Sequence, residues 1–347
     1  MRITVRANSG EFGFACGEHE RLLYAGLAQG LRLPYECATG TCGTCRGRIL
    51  EGSTLVEWSG APGFARLKRE KGDVLMCQTR PTSDVVVRVP ANVTTECDDA
   101  SRPAWQTGRI ANLRRLNRDM VDFELELTRP LSFAAGQFVV LEVPEVSGAR
   151  AYSMVNFDEE SASIKLLIKR KPDGRFSDWV FDQRVDGREA GIFGPLGRAT
   201  FHPEEGRNLL LIAGGSGIAG MMSILEHARR AHYFRDHCGY LFFGVRRLEE
   251  AVYLERFCEH VAAACGKLEV TLALSEETVP GQAHPQWPLL RLADGMVTDA
   301  AARAMAGRYD NLVSFVAGPT PMVDKALRLL IRDARQPALW VRYDKFT

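Results

Sequence analysis

The chain has 347 residues, 46% of them hydrophobic, with 44 Lys and Arg against 43 Asp and Glu. That length suits two or three domains with packed cores, and the apolar content excludes a disordered chain. A formal charge of +1, with Lys and Arg scattered along the chain, excludes the basic stripe of a nucleic-acid binder.

In chain order, Met1-Arg2-Ile3-Thr4-Val5-Arg6 alternates like a strand and lacks the apolar centre of a signal peptide, and no run approaches the length of a membrane span. A cytoplasmic protein without membrane contact is expected. A helix is predicted near residues 21–29, ending at Gly30, which fits a helix C-cap. The alternating Val85-Val86-Val87-Arg88-Val89, stopped by Pro90, closes a small α+β module over residues 1–96.

Inside that module lies Cys37-Ala38-Thr39-Gly40-Thr41-Cys42-Gly43-Thr44-Cys45, with Cys77 following. Four residues, two residues and then a long gap separate the cysteines, which is the plant-type spacing for a [2Fe–2S] cluster. The loop composition agrees: Gly40 and Gly43 tolerate positive φ, and the threonines keep the backbone close to a cluster whose sulfurs need N–H donors. The competing chemistry is zinc, which usually comes as paired Cys-x-x-Cys knuckles or with His ligands; here there is one such pair and no nearby His. Cys16, Cys97, Cys238, Cys258 and Cys265 have no framework spacing and read as reduced thiols. Up to Cys97 the module holds twelve Lys and Arg against ten Asp and Glu, so it lacks the acidic balance of free plant ferredoxins.

Residues 97–104 are polar and aperiodic, as a linker is. From 105 to 205 short alternating strands such as 120–127 and 137–143, split by Gly and Pro, predict an antiparallel β-barrel. From 206 to 347 the apolar runs 209–213, 240–244, 268–272 and 312–316, separated by helix-length segments, predict a parallel α/β domain. In that last domain Gly214-Gly215-Ser216-Gly217-Ile218-Ala219-Gly220 stands where strand becomes helix, the place for a pyrophosphate on backbone N–H groups; packing turns share this pattern. The second strand ends in Arg246 and Arg247, which suit either a 2′-phosphate or a solvated strand end. The seven histidines show no ligand or triad pattern.

Taken with Arg150-Ala151-Tyr152-Ser153, Gly174-Arg175-Phe176-Ser177, Gly194-Pro195-Leu196-Gly197, Ala317-Gly318-Pro319-Thr320-Pro321-Met322 and the tail Tyr343-Asp344-Lys345-Phe346, these motifs span essentially the whole chain. Together they resemble the NADH-dependent reductase components of bacterial multicomponent oxygenases, nearest those of the toluene, alkene and methane diiron monooxygenases. The resemblance implies a β-grasp ferredoxin domain, a barrel that binds FAD and a ferredoxin reductase-like domain that binds NADH. It implies that Cys37, Cys42, Cys45 and Cys77 hold the cluster. Arg150 would pair with the FAD pyrophosphate, with Gly174, Phe176 and Ser177 across from it. Tyr152 and Ser153 would lie against the flavin, and Tyr343 or Phe346 would yield to nicotinamide, which makes Tyr152, Ser153 and Phe346 the catalytic positions. Gly214, Gly215, Ser216, Gly217, Arg246, Gly318, Pro319 and Met322 would bind the dinucleotide. The implied activity is oxidation of NADH through FAD and the cluster, with single electrons passed to a hydroxylase component by a monomeric protein. The alternatives are service to a Rieske dioxygenase or its ferredoxin, and a redox-sensing iron–sulfur module. Two positions depart from the pattern: many members carry Cys where Ala317 stands and Pro where Gly220 stands.

Overall fold

A computed structural model describes the whole chain apart from residues 96–101, 183, 280, 282, 285 and 347 and the side chains of Ala283 and Phe346. The linker expected at 97–104 thus falls largely outside the described residues, as does Cys97.

The first sheet joins β1 (Arg2–Ala7), β2 (Gly10–Ala15), β3 (Arg46–Glu51), β5 (Asp73–Leu75) and β7 (Val85–Arg88) in the order β2-β1-β7-β3-β5, with β4 (Thr54–Val56) and β6 (Thr79–Pro81) as a separate pair. Its alternating strand β7 lies at the centre, with Val85 and Val87 buried, so the period-2 pattern reports a half-covered face. Helix α1 (Leu22–Ala28) closes over that face and buries Leu22, Leu23 and Leu27. It ends as the sequence predicts: Gly30 takes φ +81°, and the N–H groups of Gly30 and Leu31 return to the carbonyls of Leu27 and Gly26, both at 3.0 Å.

The second sheet is antiparallel, in the order β11-β10-β13-β8-β9-β12, from β8 (Ala104–Arg115), β9 (Met120–Leu131), β10 (Phe138–Val143), β11 (Val146–Ser153), β12 (Ser161–Lys169) and β13 (Glu189–Leu196). Its edges meet through a Met154–Leu166 bridge and the Val155 N–H to Lys165 carbonyl bond of 2.8 Å, which closes it into a barrel.

The third sheet runs β17-β18-β16-β15-β14-β19-β20, from β14 (Asn208–Gly214), β15 (Gly239–Val245), β16 (Leu268–Leu274), β17 (Ala283–His284), β18 (Trp287–Asp294), β19 (Leu312–Pro319) and β20 (Val341–Phe346). Its pairs are parallel except β17 with β18. The tail 343–346 is therefore an edge strand, laid parallel to β19 with Ala317 opposite Asp344. Among the described residues no helix is long and apolar enough to cross a membrane.

The three layers share cores. Phe138, Val140, Phe193 and Leu196 of the barrel pack with the apolar residues under the first sheet, and Tyr24 of α1 meets Phe193 at 4.8 Å and Trp105 edge-on at 5.6 Å. On the other side, His227 of α3 (Ile218–Arg230) stacks on Phe157 at 4.0 Å.

Candidate functional site

Local backbone shape prepares the cysteine loop. Gly40 and Gly43 take φ of +94° and +84°, and Ala38 also lies left-handed at +56°. These turns aim N–H groups at sulfur: Thr39 and Cys42 donate to Cys37 Sγ at 3.4 Å, and Thr44 donates to Cys42 Sγ at 3.5 Å. The Cys42 thiol, the Thr41 hydroxyl and the two N–H groups hold the Cys37 thiol below its ordinary range, against the opposing push of burial. Cys45 and Cys77 form a second pair with their sulfurs 3.2 Å apart, and burial pushes the Cys77 thiol up. Two sulfur pairs suit two bridged irons, one pair for each, whereas a single tetrahedral zinc wants four donors about one point.

Beside this loop opens a cavity of about 1140 Å³, large for a small-molecule site. Cys37, Thr39 and Thr41 form part of its wall, and Arg150, Tyr152, Ser153, Gly174, Phe176 and Ser177 form another. Edge strand β11 presents the first three of that second group. Arg150 is half-buried, and among the described residues its guanidinium donates only to the carbonyls of Ser147 and Ala149 at 3.2–3.4 Å. Burial lowers its pKa, and the neighbouring cation Arg175 lowers it further. A desolvated cation beside a second cation, with no ion pair to a carboxylate among the described residues, is a receptor for an anion such as pyrophosphate. Tyr152 packs on Phe176 at 5.6 Å, and burial pushes its phenol up.

The Gly174–Ser177 stretch leads into helix α2 (Arg175–Asp182). The Ser177 hydroxyl donates to the Gly174 carbonyl at 2.8 Å and accepts from the Lys171 N–H at 3.1 Å, so it shapes the turn and points the helix N-terminus at the cavity.

The glycine turn completes the third wall. Strand β14 ends at Gly214, a single 3₁₀ turn spans Gly215–Gly217, and α3 begins at Ile218. A Cβ on Gly214 would stand 2.6 Å from Met322 sulfur, and one on Gly217 would overlap the Ala317 carbonyl. The two glycine segments therefore touch, at the carboxyl ends of β14 and β19. From β14 the chain winds to β15 and β16 on one side and reaches β19 and β20 on the other, so this crevice is the topological switch point where open α/β sheets bind ligands.

Three family models match in succession: a 2Fe-2S iron-sulfur cluster binding domain over residues 5–82, an oxidoreductase FAD-binding domain over 108–201 and an oxidoreductase NAD-binding domain over 211–328. Over 350 residues the chain is 37% identical to the ferredoxin–NAD(+) reductase component of an alkene monooxygenase system from Xanthobacter autotrophicus, covering 99% of this chain and 100% of that one. It belongs to the reductase components of multicomponent oxygenases. Two solved structures agree: the ferredoxin reductase in carbazole 1,9a-dioxygenase, at 30% identity and TM-score 0.83, covers 100% of this chain and 99% of its own. A cytochrome P450 reductase from Amycolatopsis, at 28% identity and TM-score 0.81, covers 99% of each. The reductase is thus an oxidoreductase with [2Fe–2S], FAD and NAD domains in that order, and zinc gives way to the cluster as the reading of its cysteine loop.

Within the reductase, the structure brings Cys37, Arg150, Tyr152, Ser153, Gly174, Phe176, Ser177, Ser216 and Tyr343 around one cavity. Gly214, Gly215, Gly217, Gly318, Pro319 and Met322 gather at the switch-point crevice, where Gly318 takes φ +151° and a Cβ on it would stand 3.0 Å from the Gly214 carbonyl oxygen. Arg246 stands apart, exposed at the end of β15 and paired with Glu250 at 2.5 Å. The Phe346 side chain lies outside the described residues. Gly220 lies against Ser153, where an added Cβ would make ordinary contact at 3.6 Å.

Sequence reasoning missed three participants. Lys169 lines the cavity and reaches Gly215, where a Cβ would stand 3.6 Å from its Nζ; the basic run Lys169-Arg170-Lys171 just before Gly174 was its signal. Glu36 and Asp344 also line the cavity, and the Tyr343 hydroxyl donates to Glu36 at 3.5 Å. Burial pushes Asp344 up to about 7, with the Glu36 charge adding to the shift. Nothing in the sequence brings Glu36 beside a carboxyl some three hundred residues away.

Proposed function

We propose that the reductase collects two electrons from NADH at the switch-point crevice and delivers them singly, through the cysteine loop, to the oxygenase component of a multicomponent monooxygenase. The observation that carries this reading is the shared cavity: cluster-loop residue Cys37 and flavin-type residues Arg150, Tyr152 and Ser153 line one space, so donor and acceptor sites stand wall to wall. When bound, FAD supplies the exchange of one hydride for two single electrons and a proton, and the cluster carries one electron at a time.

The residues supply placement. Arg150, Lys169 and the N-terminus of α2 hold the pyrophosphate, Tyr152 and Phe176 offer aromatic faces for the ring system, and Ser153 offers a hydroxyl at its edge. Tyr343, whose hydroxyl reaches Glu36 at 3.5 Å, lines the cavity where it would have to yield to nicotinamide. The four thiols of Cys37, Cys42, Cys45 and Cys77 would hold the cluster, and the N–H groups of Thr39, Cys42 and Thr44, already aimed at cysteine sulfur, would stabilise its negative charge. Glu250, in the 3₁₀ turn after the second parallel strand, pairs with Arg246 and so occupies the cation that a 2′-phosphate would need, which favours NADH over NADPH.

A monooxygenase acceptor is favoured by the 37% identical relative, which covers the whole chain. A Rieske dioxygenase is the second reading, on the strength of the carbazole dioxygenase reductase. We place the protein in the cytoplasm, where NADH is regenerated, and read it as a working monomer because one chain builds every wall of the cavity. The test is Cys42→Ala: NADH should still bleach the flavin absorbance, while electron delivery to cytochrome c falls to a few per cent of wild type. Undiminished delivery would show that electrons leave from the flavin and not the cluster.

A further inference from the structure

The cysteine loop has two sides. One faces the cavity. The other, with Thr44 exposed and Cys42 and Gly43 partly so, faces solvent beside a second stretch of chain, residues 62–71. Gly63 fastens that stretch to the loop: its N–H donates to the Gly40 carbonyl at 2.9 Å, and a Cβ on Gly43 would stand 3.2 Å from its carbonyl oxygen. What this stretch displays is basic. Arg66, Lys68, Arg69 and Lys71 are all exposed there, and Arg46 and Arg48 adjoin them on β3.

The acids among them are few and spoken for. Asp73 is buried, accepts from Arg48 Nε at 2.7 Å and from the Lys68 N–H at 3.1 Å, and serves to pin the patch together. Glu70 is the remaining anion between residues 58 and 73. Arg69 lies over the Phe64 ring at 4.7 Å and donates to the Ser59 carbonyl at 3.2 Å, so it is held in place. The side chains of Arg66, Lys68 and Lys71 make no ion pair among the described residues. A nearly neutral protein has thus gathered uncompensated cations around the outer edge of its electron-carrying loop, and left the inner edge to the cavity.

We propose that this basic collar, centred on Arg66, Lys68 and Lys71, is the docking surface for the electron acceptor, and that the acceptor presents an acidic face to it. The proposal rests on the reading that electrons leave from the cluster. Complementary charge at an electron-transfer encounter raises the association rate and orients the partner, and such a contact weakens with salt.

The test uses the full-length reductase with its cofactors and two protein probes of opposite charge, acidic cytochrome b5 and basic cytochrome c. In the triple variant Arg66→Glu/Lys68→Glu/Lys71→Glu, NADH should reduce the flavin at the wild-type rate. Its kcat/KM for cytochrome b5 should fall about tenfold or more at low ionic strength, and that for cytochrome c should rise. The neutral variant Arg66→Ala/Lys68→Ala/Lys71→Ala should fall between, and the wild-type rate with cytochrome b5 should drop as salt is added. Cytochrome b5 reduction indifferent to both variants and to salt overturns the docking surface. Undiminished cytochrome b5 reduction by Cys42→Ala would instead overturn the cluster exit itself.

Discussion

The carboxyl of Asp344 changes charge inside the working pH range. Burial against the cavity wall, with Glu36 nearby, lifts it from 3.8 to about 7. The folded protein therefore holds a proton that the unfolded chain releases near pH 4, and the stability linked to that proton is complete below pH 4 and lost as pH climbs through 7. Function should feel the same charge. Reduction adds negative charge to the flavin, which an ionised Asp344 opposes and a protonated one does not. In spectroelectrochemical titrations Asp344→Asn should match wild type at pH 6 and show a flavin potential higher by about 30 mV at pH 8, the tenfold step for a two-electron couple.

At the scale of elements, α1 ties the cluster loop to the barrel. Its apolar face seats it under the first sheet, which turns two other side chains outward to the seam. The Tyr24 hydroxyl donates to the Ala38 carbonyl of the cysteine loop at 2.8 Å while its ring packs on Phe193. Arg21, at the helix N-terminus, pairs with Glu57 of its own domain and with Glu142 on β10 at 2.6 Å, and Arg80 meets Glu57 from behind at 2.9 Å. The Arg21 side chain is 12% exposed and that of Glu142 34%, so this partly buried pair counts for more than a fully exposed surface bridge. Arg21→Ala and Glu142→Gln should each cost about 1–3 kcal/mol in thermal unfolding, and a double-mutant cycle should return a coupling above about 0.5 kcal/mol. With the flavin and cluster held as proposed, on opposite sides of that seam, Glu142→Gln should also slow flavin-to-cluster transfer in stopped flow. Additive effects of the two substitutions would show that the pair carries no docking energy.

For the molecule as a whole, the chain path through the third sheet decides where the dinucleotide goes. By reversing direction between β14 and β19, it leaves a crevice between two glycine segments that lie more than a hundred residues apart. Gly217 and Gly220 make the distinction measurable. A Cβ at Gly217 would overlap the Ala317 carbonyl and the Gly318 nitrogen, backbone atoms that cannot swing aside, so Gly217→Ala should lower stability by about 1–3 kcal/mol and weaken NADH binding at least tenfold. Gly220→Ala meets only ordinary contact and should stay within about 0.5 kcal/mol of wild type. Equal effects at the two positions would mean that the turn, and not its packing on β19, sets the glycine requirement. The same contacts bear on Ala317: its carbonyl packs against the glycine turn, a backbone role that does not depend on the side chain at 317.

Local patterns carried the reading a long way, because the properties involved repeat within a few residues. The cysteine spacing, the glycine turns, the end of α1 at Gly30 and the four apolar runs of the parallel sheet each follow from backbone conformation or side-chain period, which neighbours in sequence determine. The Gly174–Ser177 stretch marks the edge of that reach: it stood out as a motif, but its continuation into α2 was not legible. Strands β18 and β20 escaped for a related reason, since both sit toward the side of the sheet and carry no continuous apolar run. What only the tertiary structure decided involves residues far apart in the chain. The meeting of Glu36 with Tyr343 and Asp344, the reach of Lys169 to Gly215 and the clasp of Arg21 on Glu142 all depend on how three domains stack. The sequence determined that the chain builds a cluster loop, a barrel and a nucleotide sheet; the packing between them determined that the first two share one cavity, because desolvation and charge at that seam act through space and leave no periodic trace along the chain.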